Sequence, residues 1–72
     1  MKYYVIDFCC VKEVDKRRFL KLNNQNLNRD YITWYDDGEN IFLGVCYLSE
    51  KDVIAHIVDT IGTYKSKYDM SR

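Results

Sequence analysis

An Asp-Gly pair at positions 37 and 38 separates two runs of alternating aromatic and aliphatic residues, and this pattern constrains the fold most strongly. Type I′ turns need positive φ at both central positions, which Asp-Gly tolerates. The pattern predicts a β-hairpin over residues 31–48 with Trp34 opposite Ile41. This register defines two faces: Ile32, Trp34, Ile41, Leu43, Val45 and Tyr47 on the first, and Tyr31, Thr33, Tyr35, Phe42, Gly44, Cys46 and Leu48 on the second.

An amphipathic helix is predicted directly after this hairpin. Ser49 begins a capping-box-like Ser-Glu-Lys-Asp sequence, and apolar residues then recur at helical spacing as far as Tyr68. The predicted helix, 49–68, matches the hairpin strands in length. We expect it to cover the first hairpin face, that of Trp34, and to leave the second face, that of Phe42, exposed.

The first thirty residues predict one further strand and one ambiguous segment. Successive side chains of residues 2–11 point to opposite faces of a strand, and nearly all of them are apolar on both faces. This is typical of a strand in the middle of a sheet. Asp15 is a suitable N-cap for a short helix over Lys16–Asn23, although the same residues can also form a second strand. The Asn-rich segment 23–30 is predicted to be a loop.

Together these elements predict an α+β fold in a single domain covering residues 1–72. The preferred arrangement has the order β-α-β-β-α, with a three-stranded, mostly antiparallel sheet and the C-terminal amphipathic helix on one face. The alternative is a four-stranded meander plus the same C-terminal helix. One long helix and one short segment, 15–23, are too few to cover both faces of the sheet, so we expect one sheet face to stay uncovered.

Charge is balanced overall and uneven locally. Eleven basic and eleven acidic side chains cancel, so the general electrostatic argument for nucleic-acid binding is absent. Residues 12–29 nevertheless carry six basic against two acidic groups, a net of plus four, and residues 30–59 carry seven acidic groups against one basic, a net of minus six. Such a dipole can orient a charged partner.

The expected compartment is the cytoplasm. The sequence has no secretory signal pattern and no apolar run near the roughly 20 residues that span a bilayer, so no membrane association is expected. Three cysteines without CxxC spacing suggest neither a disulfide framework nor a zinc knuckle. The vicinal pair Cys9 and Cys10 is expected to point to opposite faces of a strand, and Cys10 and Cys46 are expected to be buried.

No catalytic, cofactor or metal site is predicted. His56, four residues after Asp52 on the predicted helix, forms at most a solvated pair, because a working active site needs several convergent groups. The acidic side chains at the hairpin tip resemble a calcium loop in composition, but they lack the EF-hand order and the turn already explains them. An enzyme is therefore the least favoured class.

The sequence favours a non-enzymatic interaction module, a regulator or inhibitor that docks onto a larger protein or forms a homodimer. The composition also fits an accessory product of a phage or mobile element. Exposed tyrosines are typical of protein interfaces, and the predicted partner-binding residues are Tyr3, Val5, Tyr31, Tyr35, Phe42, Asp36, Asp37 and Glu39. The alternative is a small nucleic-acid-binding protein that uses the tyrosine face and a basic cluster formed by Lys16, Arg17, Arg18 and Lys21.

Overall fold

The computed structural model describes residues 1–8, 10–24 and 30–65. Its elements, in chain order, are β1 (Lys2–Asp7), β2 (Cys10–Val14), α1 (Lys16–Asn23), β3 (Tyr31–Asp36), β4 (Asn40–Val45) and α2 (Glu50–Ile61). The chain is thus two β-hairpins, each followed by a helix. Cys9, most of the predicted Asn-rich loop and the predicted end of the last helix at residues 66–68 lie outside the described residues.

The four strands form one mixed sheet in the order β2-β1-β4-β3. Each hairpin is antiparallel, and the two hairpins join through a parallel pairing of β1 with β4, in which Tyr4 pairs with Phe42. The three-stranded prediction is therefore wrong, while the four strands and C-terminal helix of the alternative are confirmed. The meander order of that alternative is not observed, because β4, and not β3, pairs with the first hairpin at β1.

The fourth strand arises because the predicted strand 2–11 is two strands. The chain reverses after Asp7, which pairs with Cys10 across the first hairpin. Phe8 in this reversal has φ of 56°, an uncommon conformation for a bulky side chain. The predicted central position of the first strand is confirmed, since β1 is paired on both edges.

The second hairpin differs from its predicted register. Asp36 pairs with Ile41 and Asp37 N–H donates to Asn40 O at 3.2 Å, so Gly38 and Glu39 occupy the turn. Gly38 has φ of 87°, and glycine at the first turn position is the pattern of type II′ loops. A bulge at Trp34 shifts the register again. The turn changes the pairing by two residues and so keeps Tyr35 and Phe42 on one face, as predicted. The bulge changes it by one residue and moves Tyr31 and Thr33 to the face of Leu43, so that part of the predicted hairpin faces is wrong.

The two helices lie on opposite faces of the sheet. The core under α2 comprises Tyr4, Ile6, Tyr35, Phe42, Val53 and Ile57. Tyr3 points the other way along β1, and its ring lies 4.9 Å from that of Phe19 on α1. The expectation that one sheet face stays uncovered is therefore wrong, because the short α1 is placed by Phe19 over the face that α2 leaves open.

Both helices begin at their predicted N-caps. The side chain of Asp15 accepts from Arg18 N–H at 2.7 Å, which confirms the helical alternative for Lys16–Asn23, and Ser49 Oγ accepts from Asp52 N–H at 3.2 Å. α2 ends at Ile61 and not at Tyr68, because Gly62 adopts the left-handed conformation with φ of 81° and closes the helix.

Candidate functional site

The tip of the second hairpin is organised by Asp37. Its Oδ1 accepts from the backbone N–H groups of Glu39 at 2.8 Å and Asn40 at 2.6 Å, and its Oδ2 accepts from the Tyr35 hydroxyl at 3.2 Å. These backbone hydrogen bonds hold the pKa of Asp37 below its usual value. Burial, followed by the adjacent Asp37 carboxylate, raises the pKa of Tyr35. The carboxylate at this tip therefore stabilises the turn.

A cleft of about 370 Å³ lies beside this tip and is lined by Tyr35, Asp36, Asp37, Glu39, Thr63 and Lys65. The described contacts of its acidic side chains are internal: besides the Asp37 network, Asp36 Oδ1 accepts from Gly38 N–H at 2.9 Å. The predicted partner-binding residues Asp36, Asp37 and Glu39 are thus exposed and adjacent, but the turn accounts for two of the three carboxylates.

The predicted aromatic binding face is not a surface. Tyr35 is 5% exposed and Phe42 is fully buried, because both pack in the core under α2. Val5 is buried on the α1 side of the sheet with Leu43 and Val45. The prediction that these residues are exposed is therefore wrong, because α2 covers the face of Tyr35 and Phe42 that was expected to stay open, and α1 covers the opposite face.

Tyr3 and Tyr31, also predicted to bind a partner, are half-buried near α1. Tyr3 packs on Phe19, as described above. Burial and the carboxylates of Asp7 and Asp30 raise the pKa of Tyr31, while the guanidinium of Arg18 acts in the opposite direction. Arg18 on α1 and Tyr31 at the start of β3 are therefore near enough to interact electrostatically.

The predicted basic cluster is present on α1. Lys16, Arg17, Arg18 and Lys21 are all exposed, and Leu20 between them is 39% exposed. Four basic side chains within six residues on one helix, together with the absence of acidic residues in its first turn, leave this surface strongly positive. Of the tyrosines expected to stack bases beside it, Tyr35 is buried, and Tyr3 and Tyr31 are half-buried.

Sequence reasoning missed an exposed aromatic pair at the end of the sheet opposite the hairpin tip. Phe8 follows β1, Tyr47 follows β4, and the parallel pairing of these strands brings both residues to the same end of the sheet. Their ring centroids are 5.6 Å apart, and the side chains are 62% and 60% exposed. We call Phe8 and Tyr47 the aromatic corner. The sequence had placed Tyr47 on the hairpin face expected to lie under the C-terminal helix, and Phe8 within the predicted strand 2–11.

The cysteines also differ from expectation. Cys10 and Cys46, predicted to be buried, are both exposed free thiols. Cys10 begins the edge strand β2, and Cys46 lies just past the end of β4, so neither occupies a core position. Cys9 lies outside the described residues. Within the described residues no group of three or more His, Cys, Asp or Glu side chains is arranged to hold a metal ion.

His56 is half-buried on α2, and its backbone carbonyl accepts the Thr60 hydroxyl at 2.8 Å. A membrane-spanning helix is absent from the described residues, where the longer helix, α2, has 12 residues. No protein-family model, curated protein or solved structure matches this chain.

Proposed function

We propose that this protein is a non-enzymatic interaction module that docks onto a larger protein as a regulator or inhibitor, and that the aromatic corner makes the contact. The observation that carries the proposal is the exposure of two adjacent large aromatic side chains, Phe8 at 62% and Tyr47 at 60%. Aromatic residues of this kind supply much of the binding energy at protein interfaces, because they bury a large area at a small entropic cost.

The backbone of Phe8 supports the same proposal. Its φ of 56° is strained for a bulky residue, whereas Gly or Asn would adopt this conformation more readily. Its side chain contributes no packing to the core cluster that could offset the strain. Strained backbone held in place by the surrounding structure concentrates at functional sites, and here it directs an aromatic ring into solvent.

The test is capture of a partner by purified protein, with the native mass measured in parallel. Wild type, Phe8→Ser and the matched variant Leu20→Ser, which removes an exposed apolar side chain on α1, are compared on a lysate of the source organism. The proposal predicts a captured protein, or a homodimer, that Phe8→Ser loses and Leu20→Ser keeps. A monomer that captures nothing, or capture that Phe8→Ser leaves intact, contradicts it.

A second candidate function is nucleic-acid binding through α1, and the exposed cluster Lys16, Arg17, Arg18 and Lys21 favours it. Contacts from these side chains to phosphates predict binding that weakens steeply with added salt. The Arg17→Ala variant would then lower affinity for single-stranded or duplex probes, and Phe8→Ser would not. No retardation of either probe at low salt excludes this function.

A further inference from the structure

The strand β2 forms one edge of the sheet and has an open side. It pairs with β1 along its whole length without a bulge, and no residue in the described part of the chain pairs with its other side. A regular open edge presents unpaired backbone N–H and C=O groups to another extended chain. The opposite edge strand, β3, is a poorer template, because the bulge at Trp34 interrupts it and the Thr33 hydroxyl donates to Asn23 Oδ1 at 3.4 Å.

The register of the first hairpin identifies the free backbone groups on β2. Only two positions separate Asp7 from Cys10, which leaves room only for a closely spaced, hydrogen-bonded pair. Such pairs alternate with non-hydrogen-bonded pairs along an antiparallel ladder. Lys12, like Cys10, therefore directs its backbone groups to β1, whereas Val11 and Glu13 direct theirs outward.

The side chains of β2 add a charge pattern to this edge. Lys12 pairs with Val5 and Glu13 pairs with Tyr4, so the two charged side chains lie on opposite faces of the sheet, and both are exposed. Opposite charges on adjacent strands stabilise a sheet, and like charges directly opposite each other destabilise it. The edge therefore favours an added strand with an acidic residue opposite Lys12 and a basic residue opposite Glu13.

A second copy of the chain does not meet this requirement. Two copies can meet only through the open sides of their β2 strands, and residues opposite each other then share a face of the joined sheet. The antiparallel register that pairs all five residues of β2 places Lys12 opposite Lys12 of the other copy, and Val11 opposite Glu13. The occupant that fits is thus a strand of different sequence.

We infer that an extended segment of the partner protein adds to β2 as an antiparallel fifth strand, with a basic residue opposite Glu13 followed by an acidic residue opposite Lys12. This inference rests on the proposed function and names the form of the partner. Phe8 lies in the reversal directly before β2, so a segment that continues past Cys10 comes to the aromatic corner. In such strand addition the backbone hydrogen bonds supply affinity and the side chains supply specificity.

The probe for this inference is the hexapeptide Ac-Thr-Ile-Arg-Glu-Ile-Thr-amide, titrated into the intact protein and followed by NMR. The matched probe exchanges its Arg and Glu, which places like charges opposite Glu13 and Lys12. We expect saturable binding of the first peptide with the largest amide shifts at Val11 and Glu13. The second should bind about tenfold more weakly, because both cross-strand charge pairs are reversed. The double variant Lys12→Glu with Glu13→Lys should reverse this preference.

No saturable binding, equal binding of the two peptides, or shifts confined to residues outside β2 overturns the inference, and so does a homodimer joined through β2. The comparison of the two peptides on the wild type does not depend on the folding of any variant. Failure here is distinguishable from failure of the proposed function. A partner that is captured through Phe8, and that binds the folded double variant as well as the wild type, retains the interaction module and rejects strand addition.

Discussion

The indole of Trp34 lies directly on the backbone of Gly44: a Cβ built on Gly44 would lie 2.7 Å from Trp34 Cδ1 and 2.9 Å from its Nε1. The same Nε1 is buried and has no hydrogen-bond partner among the described residues, so packing holds the ring there. The bulge at Trp34 and the absence of a side chain at Gly44 are therefore two parts of one arrangement, which sets the register of the second hairpin.

Gly44→Ala is expected to destabilise the protein by about 1–3 kcal/mol, because the new methyl group forces the indole or the strand to move. The measurement is urea unfolding followed by circular dichroism. The control is a double-mutant cycle with Trp34→Leu, whose smaller side chain makes room for the methyl group. Strictly additive effects of the two substitutions would show that the crowding is not between these residues.

Phe19→Ala is expected to lower the free energy of unfolding by about 3–5 kcal/mol, since Phe19 is the buried residue by which α1 packs on Tyr3. The adjacent Leu20→Ala, at a side chain 39% exposed, is the matched control and should cost below about 1 kcal/mol. If Phe19→Ala does not fold, Phe19→Leu gives a smaller effect of the same sign. Equal costs at positions 19 and 20 would contradict the position of α1.

Asp37 is expected to make stability depend on pH. Its pKa is lowered in the folded state by the hydrogen bonds to the turn, so its contribution is present above the ordinary value of 3.8 and is lost as the pH falls through the folded pKa. Asp37→Asn should destabilise the protein at neutral pH, and the difference from wild type should shrink below pH 3.8. Unfolding in urea at several pH values measures this difference.

The control for Asp37 is Asp59→Asn, which removes the same charge from an exposed position on α2 without touching the turn. A difference between wild type and Asp37→Asn that stays constant across the acid range would mean that its carboxylate charge does not stabilise the hairpin tip.

Phe8→Gly is expected to keep or raise the stability, by up to about 1 kcal/mol, because glycine adopts the positive φ of this position without strain. The same variant should lose the partner. Thermal unfolding and capture of the partner, measured on one preparation, test both statements. A loss of stability above about 1 kcal/mol would mean that Phe8 serves the fold.

Local signals in the sequence were sufficient to predict where both helices begin and that the first strand is central in the sheet. Asp15 and Ser49 are N-caps whose side chains satisfy backbone N–H groups regardless of the rest of the fold, so each helix begins at its predicted residue. Gly62 is an equally local C-cap signal. However, apolar residues continue at helical spacing beyond it, so the predicted helix extended too far, to Tyr68.

The sheet and the candidate site depended on non-local contacts. Asp7 is the one typical turn residue beside Phe8, so the first hairpin and its strained residue could not be predicted from propensity. The parallel pairing of β1 with β4 brings together residues 39 positions apart, Phe8 and Tyr47, whose pairing no local pattern encodes. Asp-Gly did predict a hairpin, but the bulge at Trp34 decided which faces the residues of β3 share with those of β4.

The most direct measurement is the affinity of the captured partner for a pair of double variants. One carries Phe8→Ser with Tyr47→Ser, and the other carries Leu20→Ser with Val58→Ser, which removes two exposed apolar side chains from the helices. If the aromatic corner makes the contact, the first should bind about 100-fold more weakly than wild type, as expected for loss of interface hot spots, and the second within about threefold of it. Unchanged affinity of the first variant, or a larger loss in the second, would contradict the account.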